Sequence, residues 1–101
     1  MTILQASDGV PLRVRRWPLP AVPRGTVLIV HGLGEHMGRY EHVAGQLTEQ
    51  GWAVVGFDQR GHGQSGGPRG GVPTHDALLA DLATVLDTLL PSAPRPLVLL
   101  G

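Results

Sequence analysis

The sequence of 101 residues contains no cysteine and no lysine. The lack of cysteine excludes a disulfide framework and a thiol nucleophile, and it suits a cytoplasmic protein, which is the location we expect. Eight basic and eight acidic residues give a formal net charge of zero, so no charged surface indicates a nucleic acid or an anionic membrane as partner.

Long apolar runs are also missing. The aliphatic segments VLIV and LVLL are far shorter than the roughly 20 residues that span a bilayer, so we expect no transmembrane segment. The first residues, MTILQASDG, lack the basic and apolar regions of a secretory signal peptide. The length suffices for one small domain.

The most informative stretch is residues 26–40, TVLIVHGLGEHMGRY. Residues 27–30 are apolar without alternation, as in a parallel strand whose two faces are both covered by helices. Ligands of such sheets bind beyond the carboxyl ends of the strands. We therefore predict a functional turn in the segment directly after this strand, His31, Gly32, Leu33 and Gly34.

The remaining pattern predicts an α/β fold in which an antiparallel hairpin precedes a parallel βαβαβ unit. Residues 2–17 alternate around the turn Ser7-Asp8-Gly9, which is typical of a hairpin. Helical spacing begins at Tyr40 and is ended by Gly51, and a second helix is capped by Thr74 and stopped by Pro91. A buried strand is predicted over 53–57 and an apolar strand over 96–100, and the glycine-rich segment 58–73 is predicted to be a loop.

Two segments, HGLGEHMGRY and FDQRGHGQSGG, resemble the α/β-hydrolase superfamily. The first is similar to the branch of monoacylglycerol lipases, lysophospholipases and related serine hydrolases of the serine aminopeptidase S33 type. The resemblance covers nearly the whole chain and implies that residues 1–101 form a single partial domain, the N-terminal portion of such a fold. It also implies that the last strand is the one that precedes the nucleophile elbow.

The resemblance implies a carboxylic ester hydrolase without a cofactor, acting on a small lipid or ester. The catalytic residue that it places in this chain is Leu33, whose backbone N–H would bind the oxyanion. The serine, acid and base of the triad would lie outside these residues, so the chain alone is expected to be inactive. The implied supporting residues are His31, Gly32, Gly34, Asp58 and Arg60.

One motif imitates a catalytic serine. Residues 63–67 read Gly-Gln-Ser-Gly-Gly and fit G-x-S-x-G. A nucleophile elbow needs a buried strand that turns abruptly into a helix, whereas glycine and proline flank this motif. We therefore predict that Ser65 is not a nucleophile and forms local hydrogen bonds.

Two other kinds of site have less support in the sequence, and one non-enzymatic alternative remains open. A dinucleotide site would use Gly32, Gly34 and Asp58, but the third glycine of its fingerprint, Gly38, stands one residue late. The five histidines show no metal-binding spacing, so no metal is expected. The chain could also be a catalytically silent fragment or a binding remnant.

Overall fold

The computed structural model describes residues 2–31, 40–67, 74–89 and 91–100. Seven elements occur within these ranges, in the predicted order and of the predicted type. They are β1 (Thr2–Gln5), β2 (Pro11–Arg16), β3 (Thr26–Val30), α1 (Glu41–Glu49), β4 (Ala53–Phe57), α2 (His75–Leu89) and β5 (Leu97–Leu100).

The five strands form one sheet in the order β1-β2-β4-β3-β5. The hairpin strands pair antiparallel, and β2 also pairs antiparallel with β4. By contrast, β3 pairs parallel with both β4 and β5. The predicted α/β class, with an antiparallel hairpin ahead of a parallel βαβαβ unit, is confirmed.

The hairpin alternates between core and solvent as its sequence predicts. Leu12 and Val14 are buried. Arg13 and Arg15, which alternate with them, are half-buried. The turn has a glycine, Gly9, at φ +90°, a left-handed conformation that residues with a Cβ rarely adopt. The alternation of apolar and basic residues along β2 sets which face of this strand joins the core.

The helices cover opposite faces of the sheet. Ala44 of α1 packs with Val27 and Ile29 of β3 in one cluster, and Val85 of α2 packs with Leu28 in the other. Consecutive residues of β3 thus enter different cores, because successive side chains of a strand point to opposite faces. This is why the apolar run in β3 is continuous.

The helix ends follow the predicted signals. Thr74 Oγ1 accepts a hydrogen bond from the Ala77 N–H at 3.1 Å and so caps the start of α2. Beyond α1, Gly51 has φ +95° and its N–H donates to the Thr48 carbonyl oxygen. The helix itself begins at Glu41, one residue after the predicted Tyr40.

Strand β5 lies at one edge of the sheet and is largely uncovered. Val98, Leu99 and Leu100 are 43%, 52% and 38% exposed. The strand begins at Leu97, one residue later than predicted. Its outer edge adjoins no other strand of the described sheet.

We expect the 101-residue chain to self-associate through β5, because an apolar strand edge recruits other chains. Light scattering should show species larger than a monomer at micromolar concentration. Replacing Leu99 by lysine should reduce this association, whereas the same change at Leu79, exposed on α2, should leave it unchanged. A monodisperse wild-type monomer over this range would contradict the prediction.

Candidate active site

The candidate site lies where two adjacent parallel strands end. Val30 and Phe57, the last residues of β3 and β4, are paired in register. The next residues, His31 and Asp58, are therefore neighbours at the carboxyl edge of the sheet, and both are buried. This is the edge at which open parallel sheets bind ligands.

His31 is held by two hydrogen bonds from Gln59. The Gln59 backbone N–H donates to His31 Nε2 at 2.8 Å, and the Gln59 side-chain amide donates to the His31 carbonyl oxygen at 2.7 Å. Because Nε2 accepts from an N–H group, this nitrogen carries no proton. His31 is 1% exposed, so its ring serves as an internal acceptor rather than as an accessible general base.

A second histidine lies against the ring of the first. The ring centroids of His31 and His62 are 5.3 Å apart, and the ring planes are inclined by 53°. His62 Nδ1 lies 2.9 Å from the Arg60 carbonyl oxygen, to which it donates. The loop after β4 thus folds back on itself beside His31.

Asp58 organises the glycine-rich loop that follows β4. Its side chain is buried, and its Oδ2 accepts the Gln64 N–H at 3.0 Å and lies 3.9 Å from the Arg13 guanidinium. Gly63 has φ +51°, and a Cβ there would lie 2.4 Å from the Asp58 Cγ. The close approach of the loop to Asp58 therefore requires glycine at this position.

Arg60 joins the loop after β4 to α2 and to the hairpin turn. Its Nε and Nη2 donate to the two carboxylate oxygens of Asp81 in α2 at 2.7 and 2.8 Å. Its Nη1 donates to Asp8 Oδ2, in the hairpin turn, at 2.8 Å. We call these three residues the Arg60 clamp.

The charges of the Arg60 clamp stabilise one another. The hydrogen bonds to Asp81 and Asp8 raise the pKa of Arg60. The hydrogen bond from Arg60 lowers the pKa of Asp8. The contribution of Asp8 to stability is therefore present above the ordinary aspartate pKa and is lost as the pH falls through the lowered value.

Ser65 does not have the environment of a nucleophile. It is 1% exposed, and its hydroxyl donates to the Asp58 carbonyl oxygen. The Ser65 hydroxyl oxygen in turn accepts the Arg13 N–H at 2.8 Å, which fastens the loop to β2. The predicted local hydrogen bonding is confirmed, and the serine also makes a contact distant in sequence.

Only part of the predicted site falls within the described residues. His31 and Asp58 are neighbours at the ends of β3 and β4, and the side chain of Arg60 is directed to Asp81 and Asp8. Gly32, Leu33 and Gly34 lie outside the described residues. The oxyanion role of Leu33 stays a prediction. Sequence reasoning missed Gln59, because a glutamine within DxRGHG carries no chemical signature of its own.

A cavity of about 300 Å³ lies elsewhere in the molecule. Its lining includes Thr26, Ala53 and Leu97, the first residues of three parallel strands. The cavity is thus at the amino ends of these strands, opposite the His31 edge. We do not assign it to the candidate site, because the turn after β3 is at the other end of the sheet.

The described residues hold no cluster of three or more histidine and carboxylate side chains that could bind a metal ion. Neither α1 nor α2 is long and apolar enough to cross a membrane.

The sequence matches the profile of the family described as serine aminopeptidase, S33, over residues 21–101. An uncharacterized abhydrolase domain-containing protein of Dictyostelium discoideum is 45% identical over 92 residues, which are 91% of this chain and 10% of that protein. Monoglyceride lipase of Mus musculus is 35% identical over 96 residues, which are 94% of this chain and 32% of the lipase.

A solved structure shares the fold. The esterase EaEST of Exiguobacterium antarcticum superposes with a TM-score of 0.81 at 26% identity, covering 99% of this chain and 34% of the esterase. This chain therefore spans about a third of the length of the lipase and of the esterase. The chain belongs to the serine aminopeptidase S33 family and forms the N-terminal part of an α/β-hydrolase fold.

Proposed function

We propose that the protein carrying this chain is a serine hydrolase that cleaves carboxylic esters of the monoacylglycerol or lysophospholipid type. The observation that carries the proposal is family membership together with 35% identity to a monoglyceride lipase along nearly the whole chain. Ester hydrolysis is favoured over dinucleotide binding because the matched family, the lipase and the esterase are all hydrolases.

The proposed contribution of this chain is an oxyanion donor. A serine outside the 101 residues attacks the ester carbonyl, and a histidine held by an acid accepts its proton. The carbonyl oxygen then becomes negatively charged, and the Leu33 N–H donates a hydrogen bond to it. The hydrogen bond from the Gln59 side-chain amide to the His31 carbonyl oxygen supports this role, since it holds the peptide group that leads into the segment of Leu33.

A catalytically silent fragment or binding remnant is the alternative. The described loop favours it for the isolated chain, because its one G-x-S-x-G serine is buried and donates to a backbone carbonyl. The two readings agree on the isolated chain and differ on a longer protein. Activity must therefore be compared between the two lengths.

We expect the 101-residue chain to hydrolyse no p-nitrophenyl ester and to take no fluorophosphonate label. The full-length protein should do both. If the full-length protein hydrolyses no ester, the alternative of a catalytically silent protein is favoured. Labelling of the short chain that disappears in Ser65→Ala would show that Ser65 is a nucleophile after all.

A further inference from the structure

We propose that Gln59 is a positioning residue for the oxyanion turn, acting through the carbonyl group of His31. The inference rests on the proposed ester hydrolysis and adds to it a residue that neither the family motif nor the sequence pattern marks. It is carried by the two hydrogen bonds between Gln59 and His31, which differ in what they hold.

One bond holds the side chain of His31 and the other holds its backbone. The Gln59 backbone N–H reaches the imidazole Nε2, so every residue except proline at position 59 could supply it. The bond to the His31 carbonyl oxygen comes from the side-chain amide of Gln59. This second bond therefore depends on the identity of residue 59.

Gln59 and His31 are buried, and the loop that carries Gln59 is itself fixed by hydrogen bonds. Gln59 is 7% exposed and His31 is 1% exposed, so solvent cannot readily replace the bond between them. The carbonyl oxygen of Gln59 accepts the His62 N–H at 3.0 Å, and the neighbouring Arg60 is fixed by the clamp. The side-chain amide of Gln59 thus belongs to a loop that is anchored to α2.

The His31 carbonyl belongs to the peptide group that opens the segment carrying Leu33. A peptide group is planar, so holding its oxygen restricts the plane of the whole unit. Catalytic groups displaced by about 1 Å can cost about 10²-fold in rate. Loss of the amide donor should therefore misplace the oxyanion donor without removing it.

The test compares Gln59→Met with Gln64→Met in the full-length protein. Methionine is close to glutamine in size, but its side chain has no N–H donor. Gln64 lies in the same loop, is exposed, and uses its backbone N–H to reach Asp58, which methionine retains. Gln59→Asn serves as a second variant that stays polar, because its amide is one methylene too short to reach the carbonyl.

We expect kcat on a short-chain ester to fall about 10-fold to 10²-fold in both Gln59 variants, with KM little changed. Gln64→Met should keep the wild-type values. A purely structural role would lower the melting temperature and leave kcat per folded molecule normal. A normal kcat in either folded Gln59 variant would overturn the proposal.

Hydrogen exchange separates this proposal from the proposed function. The amides of residues 32–39 should exchange faster in Gln59→Met than in wild type and in Gln64→Met. If the wild-type protein hydrolyses no ester, the proposed function fails, and exchange alone then decides on the contact. Unchanged exchange across 32–39 would show that Gln59 does not hold the turn.

Discussion

Replacing Leu33 by proline should lower kcat of the full-length protein by at least about 10² to 10³-fold, even when the variant is folded. Proline removes the backbone N–H that we propose as oxyanion donor, and loss of one such donor typically costs about 2.7 to 4 kcal/mol. Leu33→Ala keeps the N–H and should mainly affect binding of the acyl chain. The measurement is kcat and KM on a short-chain ester.

The comparison depends on both variants being folded. Circular dichroism must first show native secondary structure, since proline also restricts φ at the turn. A folded Leu33→Pro with near-normal kcat would mean that the segment after β3 is only a connection. An equal loss in Leu33→Ala would point to the side chain instead of the backbone.

Replacing Arg60 by methionine should destabilise the fold by about 3 to 5 kcal/mol. Asp81 is 1% exposed and receives two hydrogen bonds from Arg60, so the change leaves a buried carboxylate without its cation. A loss of this size is a large part of the about 5 to 15 kcal/mol that stabilises a typical domain. Urea unfolding, followed by tryptophan fluorescence at concentrations low enough for a monomer, measures it.

Two further variants separate the buried charge from a general effect of losing arginine. Arg24→Met is the matched control on an exposed arginine, where we expect a change within about 0.5 kcal/mol. Adding Asp81→Leu to Arg60→Met should recover part of the lost stability, because the unpaired charge is then gone. An Arg60→Met protein as stable as wild type would refute a stabilising role for the clamp.

Element type and order were predictable because each element carries its own local signal. Val27, Leu28 and Ile29 of the apolar run at 27–30 are buried, and Thr74 caps α2 at the predicted residue. The ends shifted by one residue at Tyr40 and at Pro96. Such shifts are expected, since terminal residues make only part of the hydrogen bonds of an element.

The candidate site was predictable only as a location. An apolar strand followed by His-Gly predicted a site after β3. Asp58 also follows a predicted strand, which indicated the same edge of the sheet. Gln59 escaped notice because its contact joins residues 28 positions apart, and nothing in its own neighbourhood indicates a partner. The family match supports hydrolase chemistry, while the role of Leu33 stays a prediction.

The sequence by itself determined the class of fold, because hydrophobic periodicity, glycine and proline act over a few residues. It also showed that the G-x-S-x-G of residues 63–67 lacks the strand and helix of a nucleophile elbow. Only the tertiary structure decided that Ser65 forms a hydrogen bond with Arg13 and that Gln59 forms one with His31. It alone also decided that Arg60 links Asp8 to Asp81. These contacts arise when the sheet brings distant segments together, and their geometry depends on the packing of whole elements rather than on any local pattern.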